Sequence, residues 1–171
     1  IKSVKVSYKD VTVNGQKKII AIINLSEFGD DTVGLFNQAV NEILTKNVSG
    51  IILDVRNNPG GYLQTAVEVA SNWVKQGDLV VSEAHSDGTN QAYKASGNPR
   101  LSGIKTIVLI NSGSASASEI LSGALRDHNL ATLIGEKSFG KGSVQELVDL
   151  PGGSAVKVTV AKWVTPGGKN L

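Results

Sequence analysis

Three short stretches of this chain are apolar with almost no polar break: Ile19-Ile20-Ala21-Ile22-Ile23, Ile51-Ile52-Leu53-Asp54-Val55 and Thr106-Ile107-Val108-Leu109-Ile110. A strand with one wet face alternates apolar and polar residues, so β-branched runs like these call for cover on both sides of a sheet. Each run is followed by apolar residues at helical spacing. The sets are Val33, Phe36, Val40 and Ile43-Leu44, then Leu63, Ala66, Val67, Ala70 and Trp73-Val74, then Ile120, Leu121, Ala124 and Leu125. Strands alternating with helices predict right-handed βαβ units, an α/β fold with a largely parallel sheet. Around this frame lie an alternating strand over 4–13 with an Asn14-Gly15 hairpin turn, and outer strands over 78–84 and 91–95. Further strands are expected over 131–134, 144–150 and 155–164.

With 171 residues, no internal repeat and no linker, residues 1–171 read as one domain. The balance of 40% hydrophobic and 19% charged residues is that of an ordinary globular protein. A net charge of +2 supplies no broad basic field, so no nucleic acid is expected as a partner. The absence of cysteine excludes disulfides, thiolate-held zinc and a thiol nucleophile. No apolar run approaches the ~20 residues of a membrane-spanning helix, and no signal-peptide core opens the chain. The chain starts at Ile1 and lacks methionine, so it is expected to be part of a longer polypeptide.

Ligands of open α/β sheets bind beyond the carboxyl ends of the strands. Three loops are expected there: 56–61, 111–118 and 135–145. In the middle one, Ser116-Ala117-Ser118-Glu119 fits a capping box, with serine at the N-cap and glutamate at N3. As an isolated pattern that explanation suffices. The same place, a serine on a tight strand-to-helix turn, is also where hydrolases hold a nucleophile, with helix N–H groups ready for an oxyanion. A base is scarce. His85 lies in a polar segment and reads as a surface residue, and His128 follows Arg126-Asp127 at a helix end, where a cation suits the dipole. Neither falls at the carboxyl end of a buried strand, so a Ser-His-Asp triad is not expected.

The third loop offers lysine. Its first seven residues, Gly135 to Lys141, imitate a phosphate-binding loop, but Gly142 replaces the Ser/Thr that would hold magnesium, and a strand pattern follows where a helix is needed. Lys137 reads as a solvated loop residue. Lys141, between Gly140 and Gly142, is expected to lie against the sheet, desolvated by backbone; desolvation favours the neutral amine, a general base able to deprotonate a serine. Gln145, four residues on, would share its face in extended chain and orient the amine. The first loop, Asn58-Pro59-Gly60-Gly61, is either a plain turn or a source of oxyanion-binding N–H groups. No His, Cys or carboxylate cluster has ligand spacing, so neither a metal nor any other cofactor is expected.

Three segments in order resemble the carboxyl-terminal processing peptidases, also called tail-specific proteases. They are Ile52-Leu53-Asp54-Val55-Arg56-Asn57-Asn58-Pro59-Gly60-Gly61, Ser114-Ala115-Ser116-Ala117-Ser118-Glu119-Ile120, and Gly135-Glu136-Lys137-Ser138-Phe139-Gly140-Lys141-Gly142-Ser143-Val144-Gln145. The resemblance runs from about Ile19 to Gly167. It implies a serine endopeptidase with a Ser–Lys dyad on a Clp-protease/crotonase-like core. Ser116 is then the nucleophile, Lys141 the base and Gln145 its orienting partner, with backbone N–H groups of Gly60, Gly61 and Ala117 as the oxyanion hole. It further implies polypeptide substrates cut near their C-termini and held as an extended strand, and an extracytoplasmic location. A PDZ domain, absent from these residues, would belong to the full-length chain, and a homo-oligomer is compatible with the family. Two other readings share the core. A crotonase-like acyl-CoA enzyme needs the oxyanion hole but not the serine–lysine pair, and a catalytically silent module would capture peptide by strand addition.

Overall fold

The computed structural model describes residues 2–171. Its elements run β1 (Val4–Val13), β2 (Gln16–Leu25), α1 (Thr32–Thr45), β3 (Gly50–Asp54), α2 (Leu63–Ala70), β4 (Leu79–His85), β5 (Asn90–Lys94), β6 (Thr106–Ile110), α3 (Ala117–Asp127), β7 (Thr132–Gly135), β8 (Ser143–Asp149) and β9 (Ala155–Val164). The three apolar runs fall in β2, β3 and β6, which are neighbours in a five-stranded sheet ordered β1-β2-β3-β6-β7. The pairs β2–β3, β3–β6 and β6–β7 are parallel, as alternation with helices requires. β1 joins antiparallel through the hairpin at Asn14 and Gly15, both at positive φ.

Along each central strand one side chain in two enters the core. Ala21, Ile23, Leu25, Ile51, Leu53, Val55 and Val108 are buried in a single cluster with Phe36 and Ile43 of α1, Ala66 and Val67 of α2, and Ile120 and Leu125 of α3. The alternate residues Ile20, Ile22, Ile52, Ile107 and Leu109 are only half-buried. The expected cover on both faces is therefore met on one. Trp73 anchors the cluster, its ring 5.9 Å from that of Phe36 and its Nε1–H donating to Thr106 Oγ1 at 3.0 Å.

Two features differ from the sequence reading. α2 stops at Ala70, although Trp73 and Val74 keep the spacing. Ser71 Oγ donates to Val67 O at 2.7 Å and Asn72 Nδ2 to Val69 O at 3.1 Å, so these side chains bond the carbonyls of the last turn while the chain leaves the helix. Second, β4, β5, β8 and β9 form a separate antiparallel sheet ordered β5-β4-β9-β8. β9 is its hub and β8 its edge, with one side unpaired.

Asp127 ties the end of α3 to the chain beyond β9. Its Oδ2 accepts Gly167 N–H at 2.9 Å and its Oδ1 accepts Arg126 Nε–H at 2.8 Å. Burial raises its pKa, but hydrogen bonds from Arg126, Thr165 and the Gly167 amide outweigh that and hold it at about 2, below the ordinary 3.8. A depressed carboxylate stabilises the fold above its unfolded pKa and loses that effect as pH falls through the folded value. Asp127→Asn is therefore expected to cost about 2 kcal/mol at pH 6, with the deficit vanishing as pH drops from ~4 to ~2. Urea melts of both proteins across that range check this.

Candidate active site

The loop after β3 closes on itself. Arg56 donates from Nε and Nη2 to the two oxygens of Asp54, at 2.9 and 2.6 Å, and these bonds hold the Asp54 carboxyl below its usual range despite burial. Asn57 and Asn111, at the ends of β3 and β6, bond reciprocally: Asn57 N–H donates to Asn111 Oδ1 at 2.8 Å, and Asn111 Nδ2 to Asn57 Oδ1 at 2.9 Å. Asn58 is fully buried. Its Nδ2 donates to Leu25 O at 2.8 Å and its Oδ1 accepts Gly60 N–H at 2.9 Å. Its backbone carbonyl accepts Ala115 N–H at 3.0 Å and Ser118 Oγ–H at 2.9 Å. Gly60, at φ +105, lies so close to the next loop that a Cβ would sit 2.8 Å from Ala115 O and 2.9 Å from Ser116 Cβ. A Cβ on Gly61, at φ +140, would run into the Phe28 carbonyl. Both positions require glycine.

The serines of the second loop are not equivalent. Ser114 and Ser118 are fully buried and bonded: Ser114 Oγ donates to Val55 O at 2.8 Å and accepts Asn111 N–H at 3.1 Å, while Ser118 Oγ donates to Asn58 O. Ser116 is half-buried and holds φ 54, ψ −114 at the N-cap of α3. An ordinary N-cap residue is extended. This conformation is sparsely populated for a residue with a side chain, a strain of order 1–3 kcal/mol that persists where surrounding bonds enforce it. The N–H of buried Ala117, next to Ser116, and that of Gly61, which follows the Gly60 packed against Ser116, donate to no acceptor among the described residues. Gly60 does not fit the expectation of a free donor, because its N–H is taken by Asn58 Oδ1.

The third loop reaches the same place through its backbone. Phe139 N–H donates to Ser114 O at 3.0 Å. Gly140 N–H donates to Glu119 Oε1 at 2.6 Å and Lys141 N–H to Glu119 Oε2 at 2.9 Å; that second oxygen also accepts Ser116 N–H at 2.9 Å. The Glu119 arm of the capping box is thus present, and it extends beyond the helix. Lys141 is exposed, contrary to the expectation of a desolvated amine. Flanking glycines permit close backbone approach but build no wall, and the loop leads into edge strand β8, which has no neighbour on its outer side to exclude water. Gln145 is exposed in β8 opposite Thr159, and no hydrogen bond joins the side chains of Ser116, Lys141 and Gln145. Lys137 is exposed, as expected.

The histidines lie elsewhere. His128 caps the far end of α3, its Nε2 2.7 Å from Leu79 O, and His85 on β4 lies 3.7 Å from Glu83. Residues 136–142 open no helix, so the phosphate-loop imitation goes no further. Among the described residues no three His, Asp or Glu side chains are grouped to hold a metal. Sequence reasoning missed Asn58 as the stitch between loops and the long reach of Glu119; a polar residue inside a Gly/Pro turn was the signal for the first.

These differences separate the serines experimentally. Ser114→Ala and Ser118→Ala each remove a buried hydrogen bond and are expected to cost about 1–3 kcal/mol. Ser116→Gly releases the strained backbone at a capping cost of only a few tenths of a kcal/mol, so its stability should equal or exceed that of the parent. Urea unfolding of the three variants gives the comparison.

Residues 19–171 match the family model described as peptidase family S41. The chloroplastic C-terminal processing peptidase of Tetradesmus obliquus is 43% identical over 155 residues, covering 91% of this chain and 33% of the relative. The carboxyl-terminal-processing protease of Picosynechococcus sp. is 41% identical over 153 residues, covering 90% of this chain and 36% of the relative. The chain thus spans about a third of the length of these curated relatives. Among solved structures, the photosystem II D1 C-terminal processing protease superposes with a TM-score of 0.87 at 39% identity, over 96% of this chain and 45% of that one. An S41 protease structure from Bacteroides fragilis shares the fold, with a TM-score of 0.76 at 21% identity over 98% of this chain and 47% of that one. The order of the strands, the strained serine and the match over residues 19–171 agree: the chain belongs to peptidase family S41.

Proposed function

We propose that this domain is the catalytic core of a serine endopeptidase that cuts polypeptides near their carboxyl termini, with Ser116 as nucleophile, Lys141 as general base and Gln145 as its orienting partner. One observation carries the reading. Of the three serines in Ser114-Ala115-Ser116-Ala117-Ser118, only Ser116 is half-exposed and held at positive φ, with the unengaged N–H of Ala117 next in the chain and Gly60 packed against it. In this scheme the neutral Lys141 amine takes the proton from Ser116 Oγ as Oγ attacks the scissile carbonyl. The Ala117 and Gly61 N–H groups receive the oxyanion. The protonated amine then returns its proton to the leaving nitrogen, and water, activated by the same lysine, hydrolyses the acyl-enzyme. Lys141 starts exposed on a flexible stem, so it must turn toward Ser116 when substrate arrives.

The free edge of β8 suits an extended peptide, which would pair by main-chain hydrogen bonds with little dependence on sequence and would cover Lys141 from water. Cleavage near C-termini is supported by the relatives, which are C-terminal processing peptidases. A PDZ domain elsewhere in the polypeptide and an extracytoplasmic location belong to the same reading, the matched relatives being roughly three times the length of the aligned stretch.

The test uses the full-length protein, a fluorophosphonate probe and an extended peptide substrate. Labelling is expected at Ser116 and nowhere else, with hydrolysis abolished in Ser116→Ala. Lys141→Met is expected to lower kcat by about 10²–10⁴-fold, the range for losing a general base. Hydrolysis by Ser116→Ala, or labelling at another residue, overturns the proposal. Peptide binding without labelling or cleavage identifies a silent binding module instead, the reading favoured by the absence of a Ser116–Lys141 hydrogen bond.

A further inference from the structure

We infer that Glu119 is a positioning residue that sets the separation between Ser116 and the segment bearing Lys141; the inference rests on the Ser–Lys reading above. Glu119 occupies the first turn of α3 with only 4% of its surface exposed. A capping box needs one bond from its carboxylate, to the N-cap N–H. Here the carboxylate accepts three. The Ser116 and Lys141 amides share Oε2, and the Gly140 amide takes Oε1, although residues 140 and 141 lie 21 and 22 positions further along the chain. Among the described residues Glu119 enters no ion pair, so backbone N–H groups alone satisfy its charge. Those groups belong to the proposed nucleophile and the proposed base.

The chemistry of the carboxylate matters. Both oxygens must accept, whereas a glutamine amide presents one acceptor and one donor, and the donor would face an N–H in either orientation. Aspartate keeps two accepting oxygens and suits the first turn of a helix, but is one methylene short of the loop. The loop has few other ties here. Gly140 brings no side chain and Lys141 points its own to solvent, so the Glu119 bonds are the ties of residues 140 and 141 themselves, between Phe139 N–H on Ser114 O and Gly142 O, which accepts Trp163 N–H at 2.8 Å. Loss of the Glu119 bonds frees the Lys141 segment to drift, and a misplacement of about 1 Å costs on the order of 100-fold in rate.

Glu119→Gln and Glu119→Asp in the full-length enzyme separate this role from capping. In both, the Gly140 and Lys141 amides should exchange hydrogen about tenfold or more faster than in the parent, the loss of one charge-assisted bond each. The amides of β7 and of α3 beyond its first turn should keep parental rates. kcat should fall by about 100-fold with KM little changed. A role limited to capping α3 predicts a near-parental Glu119→Asp. Parental kcat in Glu119→Asp, or parental protection of Gly140 and Lys141 in either variant, overturns the inference. Global unfolding of both variants overturns it too, since Glu119 would then serve the fold and not the site. Parental turnover in Lys141→Met sinks the Ser–Lys reading alone, because amide exchange is read without turnover.

Discussion

Parallel strands deliver their carboxyl ends to one edge of a sheet, and here a single buried side chain, Asn58, binds three of those ends together. Its amide gives a hydrogen to Leu25 at the end of β2 and takes one from Gly60 in its own loop, while its carbonyl receives Ala115 and Ser118 from the start of α3. Only an amide both donates and accepts at this size; aspartate would face the Leu25 carbonyl with a like dipole, and an apolar residue would strand two groups, Leu25 O and Gly60 N–H. The bond from Gly60 has a second effect. It engages one N–H of the turn and leaves the next, on Gly61, without an acceptor among the described residues.

Glu119 makes the complementary tie on the other side of Ser116. Between them the two residues grip the backbone at Ala115 and Ser116 and the hydroxyl of Ser118, which explains how a serine can be kept at φ 54 without relaxing. The design divides labour. Buried side chains position backbones, while the side chains proposed to react carry no restraints of their own: Ser116 Oγ, Lys141 Nζ and Gln145 are free of one another. Under the proposed mechanism, a site organised in this way would be preorganised in its oxyanion donors and its nucleophile, and adaptable in its base.

Much of this was legible in the residues. The uninterrupted apolar runs gave β2, β3 and β6 and their parallel order, because strands without polar breaks have few other homes. The strand-turn-helix at Ser116 and the Ser116–Glu119 spacing gave the elbow. What stayed hidden was non-local. β4, β5, β8 and β9 carry no helices between them, so alternation is silent about the sheet they share. Gly60 and Gly61 look interchangeable until Asn58 chooses between their N–H groups. The glycines beside Lys141 spell close approach of backbone but say nothing of cover for its side chain, and an edge strand supplies none on its outer side. The second and third bonds of Glu119 cross more than twenty residues and leave no periodic trace.

The topology of the second sheet carries a consequence for biosynthesis. In its sheet β8 is paired only with β9, which follows it in the chain; β9 in turn docks on β4 through pairs such as Ser82 with Val164, 82 positions apart. A ribosome delivers the parallel sheet, α3 and its strained serine well before β9 emerges. Pairings of such long separation close late, after the loop entropy between them has been overcome. The strand that follows Lys141 therefore acquires its place only when synthesis of this region is complete. A nascent chain would carry the elbow at Ser116 before the Lys141 segment has a settled place beside it.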